Sequence, residues 1–92
     1  MDEVYKEIPE HMMRGLKLYV EEGCPMGSFL TAVASDQLFK ALSRADSTNK
    51  AIVHVYCQWF HWEAPDGCHG SPEIVTAWIL KKERERNAKD DS

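Results

Sequence analysis

The chain has 92 residues, of which 43% are hydrophobic and 28% charged, with a formal net charge of −4. This is the make-up of one folded domain, too short for two and too apolar for a disordered chain. An acid surplus without clustered Lys and Arg excludes a protein built to neutralise duplex phosphates.

Residues 1–7 are polar and acidic, and a loosely held start is expected there. Pro9 suits a first helical turn. From there Met12, Leu16 and Tyr19, flanked by Met13 and Val20, recur at three- and four-residue steps, which predicts a helix. Gly15 weakens its interior by about 1 kcal/mol relative to alanine, and Gly23 is placed to close it. Gly23-Cys24-Pro25-Met26-Gly27-Ser28 is a loop. Ser28 is then the expected cap for a helix beginning Phe29-Leu30.

Residues 29–45 read as one helix kinked near Ser35–Asp36 or as two short ones, with Asp36 offering a second cap. Their expected buried stripe is Phe29, Leu30, Val33, Leu38, Phe39 and Leu42. Asp46 or Ser47 begins the next helix, which runs to about Glu63, where Pro65 and Gly67 stop it. Its residues 51–63 hold Tyr56, Trp59, Phe60 and Trp62. The stretch 51–56 has strand-like composition, but length and flanking caps favour helix. Ser71-Pro72-Glu73 starts a last helix, with Ile74, Val75, Trp78 and Ile79 as its stripe. From Lys81 the chain is a run of charges that extends the helix through pairs at three- and four-residue steps and then frays.

Met1 is followed by Asp2 and Glu3 rather than a basic stretch and an apolar run, so no secretory leader is expected. No apolar run approaches the roughly 18 residues of a bilayer span. The expected location is a reducing cytosol, with Cys24, Cys57 and Cys68 as free thiols.

At about 100° per residue, Ile52, Val55, Tyr56, Trp59 and Trp62 share a broad face, with Phe60 at its edge. His54, Gln58 and His61 form a narrow polar stripe bordered by Cys57. An element apolar over most of its girth belongs in a core. The same spacing lets His54, Cys57 and His61 converge on a zinc ion, with Cys68 as a fourth ligand and His69 or Cys24 as substitutes. No standard finger spacing accompanies them. Cys57 beside His54 or His61 also has the composition of a thiolate–imidazole pair, but no orienting acid or oxyanion hole is evident, so no enzyme is expected. Gly27-Ser28 and Gly70-Ser71 lead into helix starts whose free N–H groups can hold an anion, with Arg14, Lys17, Arg44 and Lys50 as basic residues to assist. Simple capping of each helix is the favoured explanation of both pairs.

Several pieces of the chain resemble a group of small accessory proteins of tailed bacteriophages and prophages. They are Tyr19-Val20-Glu21-Glu22-Gly23 and Pro25-Met26-Gly27-Ser28-Phe29-Leu30-Thr31-Ala32-Val33. Asp36, Leu38, Arg44-Ala45-Asp46 and Asn49 follow, then Pro65, Gly70-Ser71-Pro72-Glu73, Val75, Trp78 and Ile79. The resemblance spans residues 8–80, and its usual form is richer in glycine and proline around Met26 to Ser28. It implies a non-enzymatic protein of the bacterial host cytoplasm that binds and inhibits a host protein complex, such as a CRISPR-Cas defence system, as anti-CRISPR proteins do.

Residues 1–80 hold 6 basic and 11 acidic side chains, and residues 81–92 hold 5 and 4. The acidity therefore belongs to the body, which suits a partner with a basic surface. Glu10, Glu21, Glu22, Asp36 and Asp46 are the expected contacts. The alternatives are a small-ligand or nucleotide-binding module, a zinc-stabilised interaction module and a homo-oligomer. No membrane contact is expected. The expected fold is a compact all-α single domain of four or five helices around the aromatic-rich helix, with residues 8–80 folded and 81–92 as a charged tail. Its core should hold Leu16, Tyr19, Leu30, Val33, Leu38, Leu42, Ile52, Val55, Trp59, Val75 and Trp78.

Overall fold

The computed structural model describes residues 2–90, with side chains described for 5–88; Met1, Asp91 and Ser92 lie outside the described residues. These form an all-helical bundle, with no strand among them. A 3-10 segment Asp2–Glu7 occupies the start expected to be loose. It is followed by α1 (Glu10–Glu22), α2 (Ser28–Ala34), α3 (Leu38–Arg44), α4 (Ser47–Ala51) and α5 (Val53–Trp62). A 3-10 turn Asp66–Cys68 and then α6 (Pro72–Asp90) complete it. No helix among the described residues is long and apolar enough to cross a membrane.

Two backbone breaks raise the helix number above the expected four or five. The first resolves residues 29–45 into two helices. Asp36 has φ 60°, a left-handed conformation that aspartate tolerates better than bulkier residues. The Asp36 N–H donates to Val33 O at 3.1 Å and the Gln37 N–H to Ala32 O at 2.9 Å. This crossed pair satisfies the free carbonyls at the end of α2. Asp36 therefore closes α2 instead of capping α3, whose N-cap is Gln37. The second break is at Ile52 (φ −120°, ψ 22°), which divides the helix expected from Asp46 to Glu63 into α4 and α5.

Asp46 does cap α4, its Oδ1 accepting from Asn49 N at 2.8 Å. Ser71 caps α6, its Oγ accepting from Ile74 N at 3.1 Å. Ser28 does not cap α2; it is the first helical residue, and the N-cap is Gly27.

α2 packs against α3, α5 and α6, while α6 also packs on α1 and on the 66–68 turn, and α5 on the N-terminal 3-10 segment. Leu16, Tyr19, Leu30, Ile52, Val55, Trp59, Val75 and Trp78 are buried as expected, joined by Ile8, Phe29, Ala41, Tyr56, Phe60 and Cys68. Val33 and Leu42 are only partly buried. Leu38 is 54%, Phe39 88% and Trp62 68% exposed, against the expectation of a buried stripe. On α3 the inward position belongs to Ala41, which is fully buried. A small residue lets α2 and α3 approach closely, and a helix of seven residues has room for little else on that side. Trp62 ends α5, where the chain turns inward and Ala64 is buried instead.

Tyr19 ties the far parts of the chain together. Its hydroxyl donates to Cys68 O at 2.6 Å, and its own carbonyl accepts from Trp78 Nε1 at 3.0 Å. All of this lies in the core, where each bond is shielded from water. Tyr56 makes a second buried link, donating to Asn49 Oδ1 at 2.6 Å and standing edge-on to Phe29 with ring centroids 5.2 Å apart. Gly23 closes α1 with φ 71°. A Cβ there would collide with Lys82 Cβ, so glycine sets both the turn and the approach of α1 to α6.

The radius of gyration is 13.4 Å, above the roughly 12 Å of a compact chain of this length. The cause is α6. Val75 and Trp78 anchor its first half, and every side chain from Glu83 to Ala88 is exposed. The charged tail is thus carried on the helix through Asp90. Lys81 and Lys82 cover the Trp78 ring at 5.3 and 5.0 Å, and Lys82 pairs with Glu85 at 4.0 Å.

Tyr19→Phe keeps the ring and strands the buried Cys68 carbonyl, which should cost about 1–3 kcal/mol of folding stability. Urea denaturation followed by tryptophan fluorescence checks this; an unchanged midpoint would show that the bond contributes nothing. Gly23→Ala should lose more than 1 kcal/mol or so in the same assay, since strain at positive φ adds to the collision.

Candidate functional site

The closure of α2 by Asp36 brings three separate segments together. A cleft of about 400 Å³ lies between the end of α2, one side of α5 and the 69–70 loop. Val33, Ala34 and Phe60 form its apolar wall, and Asp36, Cys57, His61 and His69 are its polar lining. The Gly70 N–H donates to Ala34 O at 2.7 Å and so fixes the loop against α2. Gly70 holds φ 135°, and a Cβ there would meet Ile74 Cδ1 at 3.2 Å. His69 tilts against Phe60 with ring centroids 5.7 Å apart. Its Nε2 is buried and meets no hydrogen-bond partner among the described residues.

The cleft continues into a smaller recess of about 180 Å³ that shares Val33, Asp36 and Cys57 with it. Leu38, Ala41 and Val53 line this extension, with Gln37 at its side. The two form one groove running from the 69–70 loop to the start of α3. Phe39, the residue after Leu38 on α3, is in almost full contact with solvent.

The groove gathers only some of the residues singled out by sequence. Cys57 and His61 line it, but His54 does not. Cys68 is fully buried elsewhere, with its carbonyl held by Tyr19. No three His, Cys, Asp or Glu side chains among the described residues are placed to hold one metal ion. The zinc set His54, Cys57, His61 and Cys68 is therefore not brought together. Its helical spacing is real, but burial of Cys68 on the core side separates it from the exposed stripe.

The two glycine–serine pairs are also divided. Gly70 borders the groove, whereas Gly27 and Ser28 are exposed at the start of α2 and do not line it. Ser71 already uses its Oγ on Ile74 N. Arg14, Arg44 and Lys50 are exposed on α1, α3 and α4, and none lines the cleft. Lys17 borders a different recess of about 340 Å³, with Met13, Trp59 and Glu63. Of the acidic residues, Glu10, Glu21 and Glu22 are exposed on α1, Asp36 lines the groove, and Asp46 is engaged with Asn49.

Neither Cys57 nor Cys68 has a thiol shifted toward the thiolate. Partial burial in the groove wall pushes the Cys57 thiol up, and the neighbouring Asp36 carboxylate pushes it further. This is opposite to what a nucleophilic cysteine needs. Burial raises Cys68 from 9.0 to about 11 and Tyr56 from 10.0 to about 12, and pushes Tyr19 up as well.

Sequence reasoning missed Leu38 and Phe39 as surface residues and the groove beside them. One signal was present. Two large apolar residues in succession point about 100° apart on a helix, so a seven-residue helix facing one neighbour cannot bury both. No protein-family model, curated protein or solved structure matches the chain.

The raised acids set the sign of alkaline sensitivity. Between pH 9 and about 12 the folded chain holds protons that the unfolded chain releases, so stability falls as pH rises. Thermal unfolding by circular dichroism should give a flat Tm below pH 9 and a decline above it; a Tm constant to pH 11 would contradict this. Alkylation by iodoacetamide at pH 8, read by mass spectrometry, should label Cys57 slowly and Cys68 only after unfolding.

Proposed function

We propose that this chain acts by binding another protein, as a non-enzymatic accessory factor, with α3 and its groove as the contact face. One observation carries this reading: Phe39 is 88% exposed and Leu38 54% exposed in succession on α3, and Leu38 lines an apolar recess. Large apolar side chains in succession, adjoining a recess, are the make-up of an interaction site rather than of an ordinary surface. The raised Cys57 thiol supports the non-catalytic part. The phage resemblance supports a bacterial host protein complex as the partner, with inhibition of a defence system such as CRISPR-Cas as the outcome.

A second reading has its own observation. The cleft of about 400 Å³ has the size of a small-molecule site, and the buried His69 Nε2 is one polar group that such a ligand would satisfy. Thermal-shift measurements with nucleotides and other small anions test it; no stabilisation at millimolar ligand would remove it.

Phe39→Asp changes an exposed side chain and should leave Tm within a few degrees, since such surface changes are worth about 0.5 kcal/mol or less. It should abolish capture of the host protein that the wild-type chain retains from bacterial lysate. If both retain the same proteins equally, α3 is not the contact face.

A further inference from the structure

α6 carries apolar side chains on two opposite sides. At about 100° per residue, Val75, Trp78, Ile79 and Lys82 share the side that faces the body, and all four are buried or half-buried. Glu73, Thr76, Ala77, Leu80 and Arg84 form a stripe on the far side, and every one of them is exposed. Leu80 is 45% exposed, and with Pro72, Glu73, Thr76 and Ala77 it borders a shallow recess of about 450 Å³. The stripe has an acid at one end, Glu73, and a base at the other, Arg84. Lys81 and Glu83 stand at its two edges, one of each sign. Neither Glu73 nor Arg84 makes an ion pair among the described residues. Roughly three turns of helix, about 16 Å, keep them from reaching each other.

We propose that this stripe binds a second copy of the chain, the two α6 helices packing antiparallel about a two-fold axis midway between Trp78 and Ile79. Glu73 lies as far to one side of that point as Arg84 lies to the other, and Ala77 as far as Leu80. One axis therefore satisfies both pairs. It sets Arg84 of the second copy against Glu73 and Leu80 of the second copy over Ala77, and each contact occurs twice, as a two-fold interface requires. Leucine over alanine is large against small, which suits helix axes about 8–10 Å apart. Positions 73, 77, 80 and 84 also follow the alternating four- and three-residue steps of a helix-pair seam. A parallel copy would instead oppose Glu73 to Glu73 and Arg84 to Arg84. The body sits on the other side of α6, anchored by Val75 and Trp78, so the two bodies point away from the seam. One short helix pair is a small interface, in the weak class. The seam is separate from α3, and the pair would present two α3 faces.

The test is sedimentation equilibrium of the full chain from about 20 µM to about 2 mM, a range that spans weak affinities. The mass should rise from monomer toward dimer across it. Leu80→Ser, Glu73→Arg and Arg84→Glu, all at exposed positions, should each weaken the dimer at least about fivefold, with Tm within a few degrees of wild type. An equimolar mixture of Glu73→Arg and Arg84→Glu chains should recover the dimer, because both contacts then join opposite charges again. Amide shifts of the ¹⁵N-labelled chain should follow concentration between Glu73 and Arg84 and not at Leu38 and Phe39. A monomer throughout the range overturns the proposal. So does self-association with shifts centred on α3, or a mixture that associates no better than its components. None of these outcomes decides whether α3 captures a host protein.

Discussion

Trp78 donates its indole N–H to the carbonyl of Tyr19, and Tyr19 donates its hydroxyl to the carbonyl of Cys68. These bonds join positions 49 and 59 residues apart in the chain. In a domain of 92 residues the apolar core is small and the surface-to-volume ratio high, so a specific buried polar link has unusual leverage. It fixes α6 against α1 and pins the 66–68 turn to the same residue. The Gly23 turn completes the arrangement by letting the two helices touch at Lys82.

The groove follows from that anchoring. With Cys68 held, the next two residues pass the end of α2, where Gly70 bonds to Ala34. His69 is thereby placed against Phe60, and its Nε2 is left inside without a protein partner. A buried unpaired nitrogen costs about 1–3 kcal/mol. The wall of this groove nearest Asp36 also raises the Cys57 thiol. The groove thus sets hydrogen-bonding groups on an apolar ground, with the Cys57 thiol raised rather than lowered.

The exposure of Phe39 has a separate cause. α2 and α3 are joined through the left-handed Asp36 and pack on each other, with Ala41 as the buried residue of α3. A small residue such as Ala41 allows close packing, and close packing leaves no space on that side for a phenyl ring. Leu38 and Phe39 are left on the other sides of a very short helix.

Much of the architecture was legible in the residues themselves. Three- and four-residue apolar steps marked α1 and α5, Ser71-Pro72-Glu73 marked the start of α6, and Gly23 marked the end of α1. Those signals are local, set by backbone geometry and capping within a few positions. The same locality explains the errors. Helical spacing put Trp62 on the face of Trp59, and Leu38 and Phe39 on a buried stripe, because periodicity says which residues share a face and not how far the neighbouring helix extends. Cys68, offered as a fourth ligand beside the helical set His54, Cys57 and His61, is separated from it by burial. The all-helical class, the caps at Asp46 and Ser71, the stop at Gly23 and most of the core were thus determined by sequence alone. Which apolar residues reach solvent, and which polar ones meet in a groove, was decided only when the Tyr19 bonds and the packing of α2 on α3 set the distances between helices.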